Sequence, residues 1–205
     1  MKNRFDEAAL TWDENPDNFN RSKAIAGAIS SSISFRDSMS GMELGCGTGI
    51  LGFFFQEKLS ELFMVDESKE MLRITDEKIK SGGFDNMKTL RTNLLHDPYP
   101  HKHDLIISQM TFHHIHDTSL LLSTLYDVLN PGGYLCVADL VKEDGTFHSH
   151  VPDFDGHFGF DLDEFKNLLV EKGFQILNSS ICYTITKKEP VAQKEFPIFL
   201  LIAQK

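Results

Sequence analysis

Met42-Glu43-Leu44-Gly45-Cys46-Gly47-Thr48-Gly49 is the stretch on which the reading of this chain turns. It runs directly into Ile50-Leu51-Gly52-Phe53-Phe54-Phe55-Gln56-Glu57-Lys58. A short apolar strand, a turn crowded with glycine and then a helix is how an α/β nucleotide pocket begins. Glycine serves such a turn twice: it accepts positive φ without a Cβ clash, and it lets the backbone approach a ligand closely. Gly47-Thr48-Gly49-Ile50-Leu51-Gly52 also satisfies G-x-G-x-x-G, the dinucleotide fingerprint. The turn alone therefore does not choose a cofactor, and a plain glycine turn without a ligand satisfies the same pattern.

Two acids make the choice. Glu43 stands two residues before Gly45, at the carboxyl end of the first strand, and the next apolar run, Leu62-Phe63-Met64-Val65, ends in Asp66-Glu67. An acid at that distance from the glycine turn is placed to accept hydrogen bonds from ribose hydroxyls. E-L-G-C-G-T-G resembles the first motif of the class I S-adenosylmethionine-dependent methyltransferases, and Val65-Asp66 resembles the acidic end of their second strand. The resemblance implies a Rossmann-like, doubly wound α/β fold of seven strands in the order 3-2-1-4-5-7-6. The sheet is then mostly parallel with an antiparallel C-terminal hairpin, and helices cover both faces. A dehydrogenase normally turns with glycine directly after its first strand and lacks the preceding Glu, which disfavours an NAD(P)-dependent oxidoreductase.

Working outward from the turn, residues 4–34 read as helix, interrupted at Trp12-Asp13-Glu14-Asn15-Pro16 and resumed from Arg21 to Ile33 with an apolar face of Ala24, Ile25, Ala28, Ile29 and Ile33. By resemblance, residues 1–35 form a lid over a core of residues 36–205 within one domain, with Trp12 and Arg21 beside the cofactor. Trp12 equally suits simple packing against the domain. Ser68 reads as the N-cap of a helix that ends by Gly82-Gly83. Met87 to Asn93 reads as the third strand, and Asn93-Leu94 stands where the family commonly has an Asp that holds the adenine amino group. Asp97-Pro98-Tyr99-Pro100 is a turn. Asp104 to Met110 is apolar on consecutive positions, as a strand covered on both faces should be. A helix over 118–129, the turn Asn130-Pro131-Gly132-Gly133 and a strand over 134–140 follow. Asp161 caps another helix, with Glu164 at the capping-box position, and Lys172-Gly173 ends it. Strands over 174–186 and 196–203 close the chain around a charged loop containing Pro190.

The cofactor implied is S-adenosylmethionine. The residues implied to hold it are Glu43, Gly45, Cys46, Gly47, Gly49, Asp66, Glu67, Met71, Asn93, Leu94 and Gln109, with Arg21 and Trp12 from the N-terminal segment. His113 and His114, where the fourth strand meets the following helix, are candidate catalytic residues, one as a general base or both as walls of an acceptor pocket. His113, His114 and His116 lack the i, i+4 spacing of a helical metal pair. His148, His150 and His157 form a second group in the aromatic stretch 141–160, and the expectation is no metal. That stretch opens on the carboxyl edge of the sheet and is a candidate acceptor contact.

The net charge of −10, from 20 Lys and Arg against 30 Asp and Glu, disfavours nucleic acid and anionic membranes as partners. The expected partner is a small-molecule methyl acceptor, and oligomeric state stays open. Cys46, Cys136 and Cys182 are scattered and include no C-x-x-C, which suits reduced thiols, and no apolar run reaches membrane-spanning length. A cytoplasmic protein is expected. Two rival functions stay open: a cofactor-binding partner or sensor without turnover, and the oxidoreductase.

Overall fold

Alternation along the strands sorts the apolar residues onto two faces of one sheet. In β2 (Glu61–Asp66), Leu62 and Met64 enter one core, whereas Phe63 and Val65 enter the other. β4 (His103–Gln109) divides Leu105 and Ile107 from Ile106, and β7 (Gln193–Gln204) divides Phe196, Ile198, Leu200 and Ile202 from Phe199 and Leu201. Both faces therefore need cover, because each fully buried Leu, Ile or Phe contributes about 1.5–3 kcal/mol of transfer free energy. On the first face α2 (Pro16–Ser32) brings Ile25 and Ile29, and α3 (Lys69–Gly82) brings Leu72 and Ile79. On the second, α4 (Thr118–Val128) brings Leu121 and Leu125, and α5 (Leu162–Glu171) brings Phe165 and Leu169.

The structure, a computed structural model, describes residues 4–151, 153–188 and 193–205. Its sheet has seven strands in the order β3-β2-β1-β4-β5-β7-β6, the expected one. β1 (Ser40–Leu44) lies parallel between β2 and β4, β3 (Met87–Arg91) pairs with β2, and β5 (Leu129–Leu140) pairs with β4. β7 runs antiparallel between β5 and β6 (Gln175–Lys188). Strand order reverses between β1 and β4, which opens a crevice at their carboxyl ends. The loop containing Pro190 lies outside the described residues.

Local chemistry sets the helix ends. Ser68 Oγ accepts the Met71 N–H at the start of α3, and Gly83 ends it at φ 67°. Asp161 accepts the Asp163 and Glu164 N–H groups at the start of α5. One expectation is met and one is corrected. The expected helix after the glycine turn is present as a 3-10 helix, Gly52–Lys58. Asn130-Pro131-Gly132-Gly133 belongs to β5, which begins at Leu129, and its pairing with β4 shifts register between His103 and Leu105. There the backbone is held by the far end of the chain, since Gly132 N donates to Lys205 O at 3.0 Å.

The N-terminal segment comprises α1 (Arg4–Ala8), a 3-10 turn at Trp12–Glu14, and α2. Among the described residues, no helix is long and apolar enough to cross a membrane.

Candidate cofactor and acceptor site

The glycine turn is hung from β2: Gly45 N and Cys46 N both donate to Val65 O, at 2.8 and 3.0 Å. Gly45, Gly47 and Gly49 all take positive φ, at 68°, 54° and 82°. They are not equivalent. A Cβ on Gly45 would stand 2.2 Å from Thr111 Oγ1, and one on Gly49 would stand 2.9 Å from the Phe53 ring. At Gly47 the nearest atom would be Met71 Sδ, at 3.8 Å. Gly45 and Gly49 are thus required by packing, whereas Gly47 leaves an open cradle against which a ligand can lie.

Asp66 ties this cradle to the next helix. Its Oδ2 accepts the Gly47 N–H and its Oδ1 accepts the Ser68 N–H, both at 2.8 Å. Burial raises its carboxyl above the usual range, and the two N–H donors oppose that rise. Each oxygen keeps a second lone pair for a ligand hydroxyl. Glu43 sits beneath the turn, wholly buried, with Oε2 accepting the Gly52 N–H at 2.8 Å. Its Oε1 has no partner among the described residues, and burial drives its pKa well above the ordinary value. In this position Glu43 props the start of the 3-10 helix. Cys46 is buried too, and burial pushes its thiol well up, away from a nucleophilic thiolate.

The remaining expected cofactor residues fall into two groups. At the ends of β2 and β3, Asn93 Nδ2 donates to Glu67 Oε1 at 2.9 Å, and Asn93 Oδ1 accepts the Leu95 N–H, also at 2.9 Å. The Asn93 amide is therefore already engaged, and Leu94 is buried in the second core. Met71 lies behind Gly47. Across the crevice, Gln109 exchanges hydrogen bonds with Ser22 of α2 at 2.8–3.1 Å. Arg21, the residue before Ser22 on α2, donates to Asn18 Oδ1 at 3.1 Å. Burial lowers its pKa, against the favourable charges of Tyr183, Asp17 and Asp139. Trp12 is half-buried and meets the Phe5 ring edge-on at 6.2 Å.

Reading the sequence missed what fastens the N-terminal segment down. Asp6 Oδ1 accepts from Ser68 Oγ at 2.5 Å and from Glu70 N at 3.2 Å, at the start of α3. Asp13 accepts from Thr48 Oγ1 at 2.6 Å, inside the glycine turn, and pairs with Lys78. Both acids lie in an unpatterned acidic stretch, so nothing in their spacing announces the contact.

On the far side of the same crevice His113 is buried, and its Nδ1 lies 2.6 Å from Asp139 Oδ1. Asp139 also was missed, although it stands one residue before the end of β5 as Asp66 stands at the end of β2. His114 packs against His113 with ring centres 3.9 Å apart. Burial, with His113, Arg4 and His148 nearby, lowers its pKa to about 2. His148 comes in from the 141–160 stretch and stacks on Phe154 at 3.9 Å and 3°. The sequence sets these histidines in two separate groups; the fold unites one member of the second with two of the first. His116 stays at the surface, and His157 bonds to the backbone oxygen of Ile115 at 3.0 Å. A separate cleft of about 500 Å³ lies between the 141–160 stretch and α5, and no glycine-turn residue lines it.

Sheet order, glycine cradle and strand-end acids together form a Rossmann-like fold similar to that of S-adenosylmethionine-dependent methyltransferases. The profile of a family described as "Methyltransferase domain" matches residues 42–133. An uncharacterized methyltransferase of Schizosaccharomyces pombe is 27% identical over 124 residues, 57% of this chain and 44% of that protein. A malonyl-[acyl-carrier protein] O-methyltransferase of Calditerrivibrio nitroreducens is 31% identical over 104 residues, 50% of this chain and 38% of the relative. The chain thus spans half or less of the length of these two relatives. In fold, it is similar to an S-adenosylmethionine-dependent methyltransferase of Clostridium acetobutylicum, with a TM-score of 0.72, 15% identity, and coverage of 98% of this chain and 99% of the other.

Proposed function

We propose that this chain catalyses methyl transfer from S-adenosylmethionine to a small-molecule acceptor, within one domain whose N-terminal segment, through residue 35, acts as a lid. The observation that carries this reading is the Gly47 cradle, open where its two neighbouring glycines are packed shut and bordered by Asp66. The residues fit the cofactor. The backbone of the turn and the first N–H groups beyond it would receive its charged end, and Asp66 its ribose hydroxyls. When bound, S-adenosylmethionine supplies an already electrophilic methyl group.

The protein's own part is then positioning and exclusion of water. α1 and the Trp12–Glu14 turn hold the lid across the crevice through Asp6 and Asp13. His113, fixed by Asp139, and His114 form the acceptor side with Phe154. A reacting atom held in line gains most of its advantage from orientation. The acidic surface supports a neutral or cationic small acceptor over a phosphate backbone.

The test is incubation of the purified chain with methyl-labelled cofactor and a panel of small metabolites, read by mass spectrometry. A labelled small product is expected, and replacing His113 or His114 by Ala should reduce its yield with cofactor affinity nearly unchanged. Cofactor binding without any labelled product would overturn the transfer reading. Tight, salt-dependent RNA or DNA binding would overturn the choice of acceptor.

A further inference from the structure

Three imidazoles meet on the acceptor side of the crevice from two distant parts of the chain. His113 and His114 lie on the turn after β4, and His148 lies in the stretch after β5. A ring nitrogen from each lies within 4.8 Å of the other two. We propose that His113, His114 and His148 form a binding site for one divalent first-row transition-metal ion, zinc above all.

Donor type comes first. Three neutral nitrogen ligands suit zinc and its neighbours, not magnesium or calcium, which take oxygen. Three protein ligands also leave a fourth position of the tetrahedron for water or another ligand. The surroundings match as well. Asp139 Oδ1 lies 2.6 Å from His113 Nδ1, so the ring donates there and turns its Nε2 lone pair outward. A carboxylate behind a histidine is the usual outer partner of a metal-bound imidazole. Asp139 is fully buried, and its other oxygen accepts the His113 backbone N–H at 3.3 Å, so the partner is fixed in place. His148 is buried, and its Nδ1 finds no hydrogen bond among the described residues. The Phe154 ring, parallel to it at 3.9 Å, sets its plane. Bonds of about 2.0–2.1 Å would draw the three nitrogens to roughly 3.4 Å apart, a small closing rotation of the rings.

Two cations oppose the ion, Arg4 and, beside His148, Lys187. Arg4 Nη2 stands 3.1 and 3.3 Å from the two ring nitrogens of His114. A guanidinium and a metal ion cannot share that position, so ion binding displaces Arg4 and loosens α1 from the cluster. Ion binding at these three rings requires no methyl transfer, and the bound ion is itself the readout.

The experiment uses the full chain without any histidine tag, stripped by a chelator and then titrated with Zn²⁺ against a chromophoric competitor. Co²⁺ absorption is the second measurement, since a tetrahedral site gives intense visible bands. One ion per chain is expected. His148→Ala should lose at least 100-fold in affinity, and Asp139→Asn should lose about 10–100-fold. Arg4→Gln should tighten binding, a change that a purely structural role for Arg4 would not produce. His116→Ala and His150→Ala, both at exposed positions, should bind as the parent does. Circular dichroism and cofactor calorimetry on each variant separate loss of the site from loss of the fold. Absence of stoichiometric binding, or equal affinity in a folded His148→Ala chain, would overturn the proposal.

Discussion

Gly45 and Gly47 separate two reasons for a glycine that look alike in the sequence. Gly45→Ala would drive a methyl into Thr111 and should lower stability, by about 1–3 kcal/mol for overpacking with an added left-handed penalty. Gly47→Ala meets only the left-handed penalty, about 1–2 kcal/mol, but it puts a methyl into the open cradle. Thermal melts with and without cofactor should show the first variant unstable and the second mainly unresponsive to cofactor. Asp66→Ala should weaken cofactor affinity by about 1.5–3 kcal/mol, the worth of a hydrogen bond to a charged group, measured by calorimetry. At this scale the sequence was legible where a residue type has one use. Glycine at positive φ is of that kind. It was not legible at Glu43, because an acid at a strand end looks the same whether it meets a ligand or caps a buried N–H. The same holds for Asn93, whose amide bonds Glu67 and the Leu95 backbone and keeps one further N–H and one lone pair.

Elements tell a different story at the N-terminus. α1 is five residues long, too short to be stable alone, and it is held by side chains that reach the glycine turn and α3. Asp13→Ala removes the contacts to Thr48 and Lys78 at a half-exposed position, so the cost to global stability should stay within about 1 kcal/mol. Its effect should appear in kinetics: cofactor release, followed by stopped-flow fluorescence of Trp12, should become several-fold faster. An unchanged release rate would mean that the segment is not a lid. Helix existence and caps in this region follow from Asn15-Pro16 and Ser68, which act locally. The 3-10 winding of Gly52–Lys58 and the early start of β5 could not be read, because tertiary pairing and not local propensity decides them.

Across the whole molecule, strand order was legible through the resemblance to a known family, and the apolar runs over 62–65 and 104–110 agree with a sheet covered on both faces. Meetings between distant residues were not. His103 shows what such burial does to stability. It is enclosed beside Tyr99, whose hydroxyl lies 2.6 Å from its Nε2, and burial lowers its pKa to about 4. Its lowered folded value means that the unfolded chain takes up the proton first. Stability should therefore be full above pH 6.5, the ordinary histidine value, and fall as pH drops toward 4. Urea denaturation across that range should show a shallower fall in His103→Gln than in the parent chain, and parallel curves would remove His103 from the account.

The most direct measurement of the central claim is isothermal titration of the purified chain with S-adenosylmethionine and with its demethylated product, paired with a thermal melt. The account predicts saturable binding at one site per chain, and a melting temperature that rises with ligand concentration as linkage requires. Neither heat nor a melting shift at millimolar cofactor would contradict it.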